Sequence, residues 1–379
     1  MERKMDVKNK KITIFISSLR PGGAEGVCVT VANGLVKLGW DVTIVVLNMI
    51  RATHQQRLDT SINIVNLNCR HAREAIFPIW RFLSSSASSN LLVFNHQLAI
   101  ILVLIRIFTR KNYIIISRNI NTLSVDLKNA KNFWHKHIVS FLIKRFYSKV
   151  EHIIAQSHGM KDDLINFLNI NASKISVIHN PVNPYFSDFA KAIKWNDYDK
   201  DGFILCVGRL ERQKAFHFAV DIFSKVAEKR QDLNLFIIGE GSLRQELEDY
   251  VSRLKVTRKV KFLGLRNDLE KYYSKASVVL LTSLYEGFPN VLVESLTLGT
   301  PVVAFDCPNG PNEIINSNNG LLVNYKDVND GVEKLNKALS QEWDYVEIAK
   351  AASIYSEEYI VNIYSDVLKQ TFYSTELLR

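Results

Sequence analysis

A chain of 379 residues with 47% apolar and 23% charged side chains has material for two cores, in domains of roughly 150–200 residues, and argues against a disordered or fibrous protein. The four cysteines (Cys28, Cys69, Cys206, Cys307) are scattered without a C-x-x-C pair, which argues against a disulfide framework or a zinc site and fits a reducing compartment. The net charge of +10 is uneven. Residues 1–190 carry 24 Lys+Arg against 11 Asp+Glu and residues 191–379 carry 24 against 27, so the first half suits an acidic partner: anionic lipid, a phosphate-bearing substrate or nucleic acid.

The basic start leads into the short apolar stretch Ile12 to Leu19, which Arg20-Pro21-Gly22-Gly23 closes; it reads as a first strand, not a secretion signal. Val/Ile-rich runs then recur near 42–47, 62–67, 91–94, 113–117, 152–155 and 175–178, and in the second half near 203–207, 233–238, 260–262, 278–281, 301–304 and 320–323. Helix-length amphipathic stretches separate them, which predicts parallel sheets with helices on both faces. Leu98 to Phe108 is the most membrane-like segment. It has 11 residues, including Arg106, where a span needs about 20, so it reads as a buried helix. Asn180-Pro181-Val182-Asn183-Pro184 breaks regular structure between the two sets, and polar residues 196–201 follow. The expectation is an α/β fold of two doubly wound domains, with ligand bound beyond the strands' C-terminal ends in the cleft between them.

The most informative frame is Glu286 and Glu294, bracketing EGFPNVLVE after the apolar run Val278 to Leu281. Gly287, Phe288, Pro289 and Asn290 read as a tight loop and Val291 as the first turn of a helix closed by Gly299. One carboxylate then sits at a strand's C-terminal end and the other about one turn into the helix, roughly 6 Å along its axis. Both flank a helix N-terminus, where N–H groups and the dipole favour an anion. The arrangement suits a phosphorylated sugar.

The strand Phe203 to Val207 ends in Gly208, followed by Arg209 and Lys214, a bidentate and a point-charge phosphate ligand in type. Two basic residues on a loop are commonly a solvated surface; opposite the Glu286 loop they become a site. Gly22 and Gly23 open a helix as a phosphate-side or acceptor-side cradle, and without G-x-x-x-x-G-K-[ST] they are not an NTP-hydrolysing loop. His96 and Arg118 each end an apolar strand and are expected on the cleft rim; a lone histidine there is also often structural. Lys131 to Lys149 mixes Phe133, Trp134, Ile138, Phe141 and Phe146 with Lys136, Lys144 and Arg145, and reads either as a basic helix on an anionic membrane or as a core helix with a solvated basic face. Gly239-Glu240-Gly241 is half a dinucleotide fingerprint, but position 244 is Arg. The D-x-D patterns over Asp197, Asp199 and Asp201 fall in the polar linker and read as solvated.

Taken together, nearly the whole chain resembles the group 1 (family 4) retaining glycosyltransferases of the GT-B fold. The resemblance rests on ordered motifs: SSLRPGGAEGV, VIHNPV, VGRLERQK, FIIGEGSLRQELE, VKFLG, LLTSLYEGFPNVLVESLTLGTPVVAFD, and GPNEII before NNGLLV. It implies a GT-B architecture, two Rossmann-like domains facing each other across a cleft. Residues 1–185 would bind the acceptor and 186–357 the nucleotide sugar, with a helix at about 358–379 packing back on the first domain. It further implies that Arg209 and Lys214 hold the donor diphosphate and that Glu294 binds the ribose. Glu286 would face the transferred sugar, with backbone from Gly287 through Val291 around it. Gly208, Gly241, Gly264 and Leu265 would line the nucleotide, Gly23 would approach the phosphate, and His96 would lie near the reacting side. No metal and no cofactor are implied, the nucleotide sugar being a co-substrate. The chain departs from the family at Ala215, where glycine is usual, and at Asn95-His96-Gln97, which has one histidine where H-x-H is common.

The function implied is transfer of a hexose or N-acetylhexosamine from a UDP-linked donor to a lipid-linked or saccharide acceptor. This would take place in bacterial O-antigen or capsule assembly, with an undecaprenyl-diphosphate-linked acceptor. The protein would be cytoplasmic, peripheral on the inner face of the cytoplasmic membrane, and would bind no nucleic acid. Two rivals are a dinucleotide-dependent oxidoreductase, disfavoured by the missing third glycine, and a basic membrane- or nucleic-acid-binding protein, which leaves the two glutamates unexplained.

Overall fold

The computed structural model describes residues 10–86, 88–128, 138–195 and 200–377. Phe133, Trp134 and Lys136 of the basic aromatic stretch, and Asp197 and Asp199 of the D-x-D patterns, lie outside the described residues. The chain divides into two compact units, one of Met1–Pro181 with Glu357–Arg379 and one of Val182–Ser356.

The first unit holds β1 (Lys11–Ile16), β2 (Asp41–Val46), β3 (Asn63–Asn66), β4 (Asn90–Val93), β5 (Ile114–Arg118), β6 (His152–Ala155) and β7 (Ile175–Val177). They form one parallel sheet in the order β3-β2-β1-β4-β5-β6-β7. The runs are apolar throughout because both faces are covered, and side chains alternate between the two cores. Ile12, Ile14 and Ile16 of β1 enter the core on one face with Val27, Val31 and Leu35 of the helix Gly23–Lys37. Phe15 points to the other, against the helices Ile76–Ser85, His96–Thr109, Ser140–Phe146 and His158–Leu168.

The second unit holds β8 (Phe203–Val207), β9 (Asn234–Ile238), β10 (Val260–Gly264), β11 (Val278–Leu281), β12 (Val302–Phe305) and β13 (Gly320–Val323), parallel in the order β10-β9-β8-β11-β12-β13. Ile204 and Cys206 serve one core, and Phe203 and Leu205 the other. In each sheet the order reverses beside the first strand, between β1 and β4 and between β8 and β11. There the helices that follow the two strands pack on opposite faces of the sheet.

The last helix, Glu357–Leu377, crosses back to the first unit. Ile360, Tyr364, Leu368 and Phe372 recur every four residues and enter the core beside Leu35 and Trp40. Gly34 permits the approach, since a Cβ there would lie 2.6 Å from Val361 Cγ2. Trp40 Nε1 donates to Ser365 Oγ at 3.0 Å, and Lys37 pairs with Glu357 at 2.8 Å. The unit boundary falls at Pro181/Val182 because Val182 and Phe186 belong to the second core and Val182 N donates to Tyr355 O at 2.7 Å.

Candidate active site

The loops after β8 and β11 flank the reversal in the second sheet, and they are cross-tied. Leu284 N donates to Gln213 O at 2.8 Å, Gln213 Nε2 to Tyr285 O at 2.9 Å, and Thr282 Oγ1 to Ala215 O at 3.2 Å. These bonds bring Lys214 Nζ to 2.6 Å from Glu286 Oε1, with the side chains only 15% and 7% exposed. A buried pair of this kind is held at a desolvation cost, which makes it weak as a stabilising device and informative as a site. Glu286 N donates to Pro308 O at 3.2 Å, so the loop after β12 fixes the carboxylate from a third side. Cys307 lies beside the pair; burial and then the Glu286 carboxylate push its thiol up to about 12, which keeps it an inert neutral group.

Beyond Glu286 the chain turns through Gly287 to Pro289 into the helix Asn290–Thr297. Phe288 packs into the core against Tyr355, ring centroids 5.8 Å apart, which turns its side chain away from any ligand. Pro289 is the N-cap and no side chain caps the helix, leaving its dipole end to an anion. Val291 is half-buried in the first turn. Glu294, one turn in, accepts from Tyr273 Oη at 2.9 Å. Burial first, then the Glu294 charge, hold the Tyr273 phenol well above its ordinary value, so it is a permanent donor that orients the carboxylate. At the end of β11, Ser283 Oγ is fully buried and has no hydrogen-bond partner.

Arg209 is exposed on the loop after β8, next to Gly208, whose Cα side faces the Lys214 stem. Gly239 and Gly241 sit where the β9 loop meets the β8 loop. A Cβ on Gly239 would stand 1.9 Å from Gly208 O, and one on Gly241 would stand 2.4 Å from Leu210 O. On its Cβ side the Gly241 backbone therefore lies directly against the loop after β8. Gly264 ends β10, its carbonyl accepting from Gly239 N at 2.9 Å, and Leu265 beside it is 76% exposed.

In the first unit, Gly22 precedes the helix Gly23–Lys37, and His54 lies against the loop with Nε2 3.4 Å from Gly22 N and Nδ1 3.1 Å from Arg57 Nη1. Burial and then Arg57 lower the His54 pKa, keeping the ring neutral between those groups. His96 is the half-buried first residue of its helix, behind the N-cap Asn95, whose Oδ1 accepts from Gln97 N at 2.7 Å. Arg118 differs from expectation. Its side chain is fully buried rather than on a rim, stacked 4.9 Å over the Phe94 ring and donating to Tyr364 Oη at 2.9 Å and to Asn180 Oδ1. It is a tie between β5 and the last helix, because a guanidinium at that strand end is enclosed once that helix docks. Among the described residues no group of three His, Cys, Asp or Glu side chains is placed to hold a metal, and no helix is long and apolar enough to cross a membrane.

Sequence reading missed Tyr273, Gln213 and His54. Gln213 lies inside VGRLERQK, but like the other two it matters through a partner more than 20 residues away.

Two doubly wound units of parallel sheet, with a buried Lys–Glu pair at the reversal of the second, define a GT-B protein. The family described as "Glycosyl transferases group 1" matches residues 188–356, and "Glycosyltransferase Family 4" matches residues 21–186. The chain is 29% identical over 350 residues to the N-acetylgalactosamine-N,N'-diacetylbacillosaminyl-diphospho-undecaprenol 4-alpha-N-acetylgalactosaminyltransferase of Campylobacter jejuni, covering 88% of this chain and 91% of that protein. It is 25% identical over 373 residues to an amylovoran biosynthesis glycosyltransferase of Erwinia amylovora, covering 94% and 99%. Its fold matches that of Anabaena HepE, solved in complex with UDP and glucose, with a TM-score of 0.76 at 17% identity over 95% and 99% of the two chains. The chain belongs to the group 1 glycosyltransferases, and it is an enzyme of glycosyl transfer.

Proposed function

We propose that the protein transfers a hexosyl or N-acetylhexosaminyl group from a UDP-linked donor to a lipid-linked or oligosaccharide hydroxyl, with retention and without a metal ion, during bacterial surface-polysaccharide assembly. The observation that carries this is the Lys214–Glu286 pair, 2.6 Å apart and buried at the reversal of the second sheet, beside the uncapped helix Asn290–Thr297. Lys214, Arg209 and the helix N-terminus neutralise the departing diphosphate, which is the charge that develops in the transition state. Glu286 binds hydroxyls of the sugar, and Glu294, oriented by Tyr273, binds the ribose. The bond from the anomeric carbon to the diphosphate oxygen breaks as the bond to the acceptor oxygen forms on the same face. The acceptor's proton passes to the leaving phosphate oxygen, so no protein carboxylate is needed as a nucleophile.

An undecaprenyl-diphosphate-linked saccharide is the acceptor this reading favours. The Campylobacter relative is named for such a substrate, and the basic first half suits a phosphate-bearing lipid at the inner face of the cytoplasmic membrane. The test is a panel of UDP-, GDP- and dTDP-sugars, read by donor hydrolysis and by the thermal shift of the native protein. Hydrolysis and stabilisation are expected with a UDP-sugar; stabilisation only by NAD(P)H, or hydrolysis undiminished in Glu286→Ala, overturns the reading.

A further inference from the structure

We propose that the N-terminal ends of two helices on one face of the first unit, Ile76–Ser85 and Ser140–Phe146, form the surface that seats the protein on an anionic phospholipid bilayer. This deepens the membrane location proposed above and draws its purpose from it. The helix Ile76–Ser85 buries Ile79 and Leu83 against the sheet. Its outer side, where a soluble helix carries polar residues, instead leaves Ile76 49%, Phe77 64% and Trp80 42% exposed, the two rings 5.3 Å apart. Arg73 and Arg81, four residues to either side of Phe77, are exposed too. The second helix repeats the combination: Ile138 and Phe141 are exposed, with exposed Lys144 and Arg145 three and four residues beyond Phe141.

Both helices pack against His96–Thr109 and share its core. Each feeds the strand that follows it, β4 or β6, so each begins at the C-terminal edge of the sheet, where His96 also lies. The exposed pair Ile107 and Phe108 sits at the far end of the middle helix, on the other edge, and is not part of this surface.

The charge of the region identifies the partner. On and beside the two helices Arg70, Arg73, Arg81, Lys144, Arg145 and Lys149 are exposed. The one acid in those two stretches, Glu74, accepts from Arg70 N and His71 N at the start of its own helix. A second copy docked here would set like charge against like charge. An anionic bilayer complements both features: the rings enter the boundary between headgroups and acyl chains, and the arginines reach lipid phosphates.

The test is sedimentation of the full chain with vesicles of phosphatidylglycerol and phosphatidylethanolamine, and with phosphatidylcholine vesicles, at about 0.05 M and about 0.5 M salt. Binding to the anionic vesicles alone is expected, falling about tenfold at high salt. The variant Phe77→Ser/Trp80→Ser should lose at least about tenfold in partition while keeping its circular dichroism and donor hydrolysis. Arg73→Glu/Arg81→Glu should lose the preference for anionic lipid. The proposal is overturned if Phe77→Ser/Trp80→Ser partitions like the wild type, or if the wild type ignores anionic vesicles. A concentration-dependent dimer abolished by that variant, without vesicle binding, also overturns it in favour of a self-contact. No step uses donor or acceptor, so vesicle binding intact with every donor inert sinks the transfer reading and leaves this one standing.

Discussion

Lys214 Nζ and Glu286 Oε1 lie 2.6 Å apart although 72 residues separate them in the chain. Both side chains are largely buried, and their pairing offsets part of the cost of burying the charges. Removing one partner loses that offset. Glu286→Gln is expected to cost about 3 kcal/mol of stability and to lower kcat by about 10²–10³. The double variant Lys214→Met/Glu286→Gln should be more stable than either single variant while staying inactive. Urea unfolding of the four proteins measures this; additive losses would mean that the two residues do not act as a pair.

Tyr273 does its work through Glu294. Tyr273→Phe removes a hydrogen bond to a carboxylate, a bond worth about 1.5–3 kcal/mol. The expected outcome is a donor KM raised about tenfold with kcat nearly unchanged, since the ribose contact proposed for Glu294 would be made equally in ground and transition states. A fall in kcat at constant KM would assign Tyr273 to the reacting end instead.

Ala215 stands at φ 45° and ψ 46° as the N-cap of the helix Phe216–Ala227. A left-handed alanine costs roughly 1 kcal/mol, but its methyl is fully buried, which returns about 0.8 kcal/mol. The two nearly cancel. Ala215→Gly is therefore expected to change stability by less than about 1 kcal/mol and to leave turnover intact. Ala215→Val, β-branched in the same conformation, should cost more than about 2 kcal/mol and loosen Lys214. Thermal unfolding and donor KM of the two variants decide.

The His152 ring, bonded to Ser176 Oγ at 2.8 Å, is lowered to about 4 by burial and then by Lys174 and Lys161. Between about pH 6.5 and about 4 the unfolded chain takes up a proton that the folded chain refuses, so stability falls as pH falls through that window. Below it both states are protonated and the contribution levels off. His152→Gln should flatten the slope over that window. Identical pH profiles of unfolding in the two proteins would refute the assignment.

The last helix completes the first core. Deleting residues 357–379 exposes partners of Tyr364, Leu368 and Phe372, at about 1.5–3 kcal/mol for each lost side chain, which approaches the whole stability of a domain at about 5–15 kcal/mol. It also leaves Arg118 without its Tyr364 bond. The truncated chain is expected to aggregate. Gly34→Ala, which forces a methyl onto Val361, should remain soluble with a lower Tm, the overpacking costing about 1–3 kcal/mol of stability.

Strand positions were legible in the residue order because a doubly covered parallel strand is an unbroken apolar run, a local property. All thirteen runs expected from the sequence are strands. The Glu286–Glu294 frame was legible for a similar reason: its spacing is set within one loop and the start of one helix. The side chains' partners were not. Whether a guanidinium at a strand end meets solvent or Tyr364 depends on a helix 246 residues later in the chain. What glycines 239 and 241 lie against depends on which strand lies beside β9. Likewise, the aromatic pair Phe77 and Trp80 shares its helix with Ile79 and Leu83, and residue type alone does not separate the outward side from the buried one. Spacing along the chain determined the elements. Burial and partnership were decided by sheet order and helix docking, because both depend on atoms that the chain brings together only when it folds.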